Sequence, residues 1–240
     1  SRHNQIAAAP LIEQTILVPS SESAEEDSEV DFLGGVFRII GQMHDLYILL
    51  ESEEGLLIID QHAAHERVLY EQLRKEVNQD RVAVQELLQP FILSLSPKDA
   101  EQIVDLADSL ESIGYTISSF GGNEVSISTL PEILGRTASE TELLALIDKI
   151  LDLGGKEAEE TFMDNLVKVT ACHSAVRAGQ SLSTDEIRDI ILELSATTGK
   201  YNCCHGRPSM IRIRKEDIDR SVGRLGASAI ARYKARHGLK

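Results

Sequence analysis

Gly55-Leu56-Leu57-Ile58-Ile59, followed at once by Asp60-Gln61-His62-Ala63-Ala64-His65-Glu66-Arg67-Val68-Leu69-Tyr70-Glu71, is the stretch on which the reading of this chain turns. The first five residues are a continuous β-type apolar run after the turn-like Ser52-Glu53-Glu54, and the alanine-rich, proline-free residues 61–77 predict a helix. A cluster of carboxylates and imidazoles therefore begins at a strand-to-helix junction. On a helix His62 and Glu66 are i,i+4 neighbours, with His65 at i+3 from His62. One face thus turns an imidazole and a carboxylate toward a common point, a ligand geometry for a divalent metal. A solvated helix face with Asp60 as its N-terminal cap has the same pattern, and spacing by itself leaves both readings open. Two protease signatures are excluded, because zincins need His-Glu-x-x-His and inverzincins His-x-x-Glu-His, whereas the order here is His62-x-x-His65-Glu66.

Upstream, residues 36–40 and 46–50 read as strands separated by a polar turn at 42–45, a meander that feeds the helix. Residues 1–30 read as an acidic flexible linker to an upstream domain, since Ser20 to Asp31 hold six acids and no base. Downstream, a second body follows Pro90. Ser96-Pro97 makes an N-cap and first helical position, Ile103, Leu106, Ala107, Leu110 and Ile113 keep helical period, and Gly114 stops it. Strand-like 115–120 and 124–128 flank the hairpin turn Gly121-Gly122-Asn123. Capping boxes at Ser139-x-x-Glu142 and Ser183-x-x-Glu186 open helices running to about Leu151, before Gly154-Gly155, and about Leu194. Between them a helix is expected over 162–176.

The chain has 240 residues, 42% of them hydrophobic, and no Trp, enough for one sizeable core or two small ones. No apolar run of about 18 residues predicts a transmembrane helix, the N-terminus lacks a signal-peptide pattern, and the absence of an initiator Met suggests a piece of a longer protein. Three cysteines make no disulfide framework; they fit a reducing compartment, the cytoplasm, with thiols free for metal. The net charge of −15 hides a basic end: residues 206–240 carry ten Lys/Arg against three Asp/Glu, a balance of +7 that leaves −22 on residues 1–205. Arg207, Arg212, Arg214, Arg220, Arg224, Arg232, Lys234 and Arg236 form either a local phosphate-facing patch or a helix end and basic tail with no ligand.

Tyr201-Asn202-Cys203-Cys204-His205-Gly206-Arg207-Pro208 holds two of the three thiols. On an extended backbone side chains alternate, which would put Cys203 and His205 on one side, as co-ligands, and Cys204 on the other. Thiolate and imidazole are zinc donors, and Cys172 in Thr170-Ala171-Cys172-His173-Ser174 adds a third if its helix faces that way. A buried structural cysteine is the commoner fate of any one of these positions taken alone.

Taken together, Asp60-Gln61-His62-Ala63-x-x-Glu66-x4-Glu71, Ala171-Cys172-His173 and Cys203-Cys204-His205-Gly206-Arg207-Pro208 resemble the C-terminal domain of the MutL family of mismatch repair, in its endonuclease-bearing form, from about residue 30 to 213. Two positions depart from the family pattern: Cys204 stands for a Pro, and His173 for a basic residue. The resemblance implies that Asp60, His62, Glu66, Cys172, Cys203 and His205 form a metal site, with Asp60, His62 and Glu66 catalytic. It implies Zn2+ in a structural or regulatory role, and Mn2+ or Mg2+ in a catalytic one. Arg207 either contacts DNA phosphate or pairs with a neighbouring acid, and Glu71, about 140° around the helix from Glu66, either supports the site from outside or is structural.

Gln85-Glu86-Leu87-Leu88-Gln89-Pro90 is similar to the family segment that binds the replication sliding clamp, with Gln85, Leu87, Leu88 and Pro90 as contacts; an ordinary strand is the other reading. The implied architecture is α+β: a dimerisation subdomain built from two chain segments, 31–85 and 171–240, with an inserted external, regulatory subdomain at 86–170. The implied function is a DNA-nicking endonuclease and homodimerisation module acting in the cytoplasm, at the nucleoid during repair. Its partners would be DNA, the clamp and, through the full-length protein, the mismatch-recognition protein MutS, with no membrane. The alternative is a catalytically silent, zinc-stabilised module for dimerisation and partner docking.

Overall fold

A computed structural model describes residues 29–134, 139–154, 158–176, 179–224 and 226–238. Most of the segment read as linker, residues 1–28, lies outside them. Its last residues do not belong to a linker: β1 (Glu29–Phe32) buries Val30 and Phe32, because its alternation continues the meander one strand further back. β2 (Gly35–Met43), β3 (Tyr47–Ser52) and β4 (Gly55–Asp60) follow as antiparallel neighbours. The fifth strand of this sheet, β8 (Met210–Arg214), arrives from the far end of the chain and pairs with β4.

Period-2 alternation gives the sheet two faces. Phe37 and Ile39 of β2, Ile48 and Leu50 of β3, and Leu57 and Ile59 of β4 point inward. They pack on Ala64 and Val68 of α1 (Gln61–Asn78) and on Ile187, Ile190, Ile191 and Leu194 of α6 (Thr184–Ala196). The opposite face carries Leu49, Leu56, Ile58, Ile211 and Ile213, none of them buried.

A second sheet, ordered β5 (Val84–Ser94), β7 (Glu124–Pro131), β6 (Thr116–Gly121), is antiparallel throughout, so the fold is α+β with two antiparallel sheets. Its core joins Leu93, Ile117, Val125 and Ile127 to residues of α1 and of four further helices: α2 (Pro97–Asp105), α3 (Ala107–Glu111), α4 (Glu140–Leu153) and α5 (Glu159–Ser174). The helix expected over 97–113 is thus two, broken at Leu106 (φ −90°, ψ 4°); both pieces bury the same apolar side, through Ile103 and Leu110, which is why the period looked continuous. The expected capping boxes are both present, with side-chain and backbone bonds reciprocated between Ser139 and Glu142 and between Ser183 and Glu186.

α1 serves both cores. Its Leu69, Tyr70 and Leu73 enter the second core while Ala64 and Val68 enter the first. With Leu73 fully buried, truncation to Ala there would cost about 2–5 kcal/mol. The helix is therefore clamped on two sides, which fixes the bearing of every side chain on its remaining face. The basic end folds as α7 (Lys215–Ser221) and α8 (Ala227–Arg236). Among the described residues, no helix is long and apolar enough to cross a membrane.

Candidate metal centre

α1 begins where β4 ends because Asp60 caps it: its Oδ1 accepts the Ala63 N–H at 3.0 Å. One turn on, His62 Nε2 lies 3.1 Å from Glu66 Oε1. The ring cannot swing, because Nδ1 donates to the Val176 carbonyl at 2.8 Å. That bond leaves Nε2 as the nitrogen turned to the cluster. The Val176 N–H in turn donates to His65 Nδ1 at 2.9 Å, so two imidazoles of α1 grip both polar groups of one residue just past the end of α5. His65 is thereby used as a latch.

α5 brings Cys172 to the same place, and His62, Glu66 and Cys172 place one donor atom each within 4.8 Å of one another. The buried Glu66 also joins a second group, with Cys203 and His205, by the same measure. Its Oε2 is 3.7 Å from His205 Nδ1.

The segment holding Cys203 and His205 is a tight hairpin and not an extended strand. Asn202 bridges Pro208, the Cys203 N–H donates to the Arg207 carbonyl at 2.8 Å, and the Gly206 N–H to the Cys203 carbonyl at 2.9 Å. Gly206 takes the turn at φ +84°, where a side chain would strain. Alternation therefore does not separate the two cysteines as expected: Cys203 and Cys204 are both buried, and the Cys204 sulfur lies 3.3 Å from His205 Nδ1.

Arg67, to which sequence reasoning gave no role, ties the hairpin to α1. Its Nε and Nη2 donate to the Asn202 and Cys203 carbonyls, each at 2.8 Å, and its Nη1 pairs with Glu71 at 3.0 Å. Gly199 makes room for it: an added Cβ would stand 2.8 Å from the guanidinium carbon. Glu71 thus acts through Arg67, one link removed from the donors. The only prior signal for Arg67 was its place inside the motif.

The charges interlock. Hydrogen bonds with Cys172 and to the Glu66 carboxylate outweigh burial and, with the Val176 carbonyl, lift the His62 pKa to about 10. For Glu66 burial is the largest influence and opposes ionisation. The bonds to His62 and Cys172 and the nearby His62 and His205 charges overcome it and hold the carboxyl at about 2. Burial, helped by the His62 charge, drops His65 to about 4. Burial, then the Glu66 charge, pushes the Cys204 thiol up to about 12. A protonated imidazole beside an ionised, buried carboxylate and a thiol is a donor set that a divalent cation fits, since the cation can replace the shared proton as the positive partner.

Asp60 is in neither donor group; its carboxylate sits at the helix start. Gln85 and Glu86 pair regularly in β5, but the register to β7 slips between Glu86 and Phe91. In the resulting bulge Leu87 packs on the second core while Leu88 is fully exposed. Arg207 is exposed. Several of the other basic residues are taken up in ion pairs, Arg212 with Glu54, Arg214 and Arg220 with Asp217, and Arg236 with Glu216.

Residues 40–182 match the family described as "MutL C terminal dimerisation domain". The matched span includes His62, Glu66, Cys172 and the bulge; Cys203 and His205 lie beyond it. The chain is 34% identical over 195 residues to the DNA mismatch repair protein MutL of Phenylobacterium zucineum, covering 81% of this chain and 31% of that protein. It is 37% identical over 188 residues to that of Clostridium tetani (78% and 30%), and 34% identical over 216 residues to that of Mesorhizobium japonicum (90% and 34%). The chain spans about a third of the length of these curated relatives.

Proposed function

The chain belongs to the MutL family, as a C-terminal dimerisation domain, and from that membership we propose that it is the metal-dependent DNA-nicking and homodimerising part of a mismatch-repair protein. The observation that carries this reading is Glu66, a buried carboxylate shared by two donor groups drawn from three separate stretches of chain. His62, Glu66 and Cys172 on one side and Glu66, Cys203 and His205 on the other would hold Zn2+, the ion that sulfur and imidazole select. Asp60, a hard oxygen donor at the mouth of α1, suits Mn2+ or Mg2+. Bound divalent ions supply the Lewis-acid charge that phosphodiester hydrolysis needs. The protein's own part is to orient: the Val176 carbonyl fixes the His62 tautomer, Arg67 fixes the Cys203 backbone, and exposed Arg207 offers a phosphate contact.

The two-segment sheet (β1–β4 with β8) is the dimerisation subdomain in this reading, and residues 86–170 the external one. The outward-facing Leu49, Leu56, Ile58, Ile211 and Ile213 give a second copy an apolar surface to cover. The Leu87–Pro90 bulge offers a sliding clamp an apolar plug in Leu88. Leu88→Ala should leave stability within about 0.5 kcal/mol of the parent while weakening clamp binding in a titration; equal affinity removes the bulge from the docking surface. DNA and, through the complete protein, MutS complete the set of partners, at the nucleoid in the cytoplasm.

A second reading, a catalytically silent zinc module, is favoured by the capping role of Asp60 and the sulfur-rich donor groups. Asp60→Asn separates the two, because Asn caps a helix as well as Asp and removes only the charge. In the full-length protein with Mn2+ and a clamp, conversion of supercoiled to open-circular plasmid should fall by orders of magnitude with zinc content unchanged. Parental nicking by the variant would establish the silent module instead.

A further inference from the structure

Cys204 is buried in the same cluster as Leu69 and Ala171, yet its sulfur is not simply filling that core. It lies 3.3 Å from His205 Nδ1, which is itself 3.7 Å from Glu66 Oε2. Ligand atoms that share one tetrahedral zinc, at the usual Zn–S and Zn–N lengths, stand roughly 3.3–3.8 Å apart. Both separations, each to His205, fall in that range; Cys204 stands outside the set of Glu66, Cys203 and His205 whose donor atoms all lie within 4.8 Å, so binding must draw its sulfur toward Glu66 and Cys203. The backbone that carries these side chains is held by Arg67 on the Asn202 and Cys203 carbonyls and by the bonds across the hairpin, so the loop presents the Cys204 sulfur and the His205 ring side by side next to Glu66.

We propose that the Cys204 sulfur is a fourth donor to the ion held by Glu66, Cys203 and His205, closing that group into a site with four protein ligands. On binding, the Cys204 thiol gives its proton to water and the thiolate takes the fourth position. The inference rests on the metal-site reading above and goes beyond it in one respect. A three-donor group leaves a position open to water or substrate, whereas four protein donors make a structural zinc. The chemistry would then fall to the other group, His62, Glu66 and Cys172, together with Asp60.

The test is reconstitution of the reduced protein with Co2+, whose sulfur-to-metal charge-transfer absorption grows with the number of thiolates bound. If Cys172, Cys203 and Cys204 all ligate, Cys204→Ser should remove about a third of the intensity at full cobalt loading, as should Cys203→Ser. Zinc X-ray absorption on the unsubstituted protein counts sulfur neighbours without any variant, and should require three thiolates in all, two of them on one ion. Unchanged intensity in Cys204→Ser beside a loss in Cys203→Ser, or a sulfur count satisfied by Cys172 and Cys203 alone, overturns the assignment and leaves the metal site standing. Failure of the parent to bind either Co2+ or Zn2+ overturns both.

Discussion

The two halves of the candidate metal centre are built by opposite means. His62 and Glu66 stand one turn apart on α1, where helix geometry sets their spacing and two cores hold the helix. Cys203 and His205 stand on a nine-residue hairpin, 201–209, whose neighbours Tyr201, Asn202 and Arg207 are exposed, and which is tied to α1 by Arg67. The first half is prearranged by local structure. The second is shaped by bonds within the hairpin and aimed at α1 by one side chain, Arg67, reaching across about 135 positions of sequence.

If that contrast is right, removing what the halves share should do most damage. Glu66→Gln strips a charged donor from both groups, and zinc affinity should fall by more than the 10–100-fold typical of losing an outer partner. Competition with a chelator measures it, and a loss confined to one zinc equivalent would show that the groups do not share the residue. Arg67→Ala should fall within that 10–100-fold range, with the hairpin ligands affected and the His62–Cys172 side spared. Arg67→Lys should not rescue it, since a point charge cannot serve two carbonyls and Glu71 together. Parental affinity in Arg67→Ala would mean that the hairpin holds itself.

The smallest effect is a pH signature of the helix half in the metal-free protein. His62 has a folded pKa of about 10, above its ordinary 6.5, so its stabilisation is complete below 6.5 and is lost as pH rises toward 10. His65, lowered to about 4, contributes stability above 6.5 that is lost as pH falls through 4. Glu66, held at about 2, adds a further loss as pH falls from 4.5 through 2. The thermal midpoint should therefore peak near neutrality, with His62→Gln flattening the alkaline limb and His65→Gln the first part of the acid limb. A profile unchanged by both substitutions would show that neither ring senses the surroundings described above.

What was legible in the sequence follows the same division. β2 to β4, α1, and the two capping boxes were readable because period and cap chemistry are local. β8 was not, since the Ile211-Arg212-Ile213-Arg214 alternation is short and sits in a basic end, and it becomes a strand only by pairing with β4. The break at Leu106 was hidden by an apolar period that both pieces keep. For the candidate centre, spacing singled out His62 and Glu66 but left a solvated helix face as an equal reading, chemistry and the family resemblance singled out Cys172, Cys203 and His205, and Asp60, expected with them, stands in neither donor group. The Val176 carbonyl and the Arg67 bonds were not, because a backbone acceptor has no sequence signature and a lone arginine has too many uses.

The sharing of α1 between two cores has a dynamic consequence. Neither sheet can shed its helical support without exposing Leu73 or Val68 from the other side, so the amides along the middle of α1 should exchange with solvent only when the whole molecule opens. The hairpin at 201–209, by contrast, is held by the Arg67 bonds, the Asp60 N–H to the Ser209 carbonyl and the burial of Cys203 and Cys204, and its amides should exchange through a smaller, local opening. Ions would then enter and leave from the hairpin side, at a rate set by the loop, while the helix half waits in place.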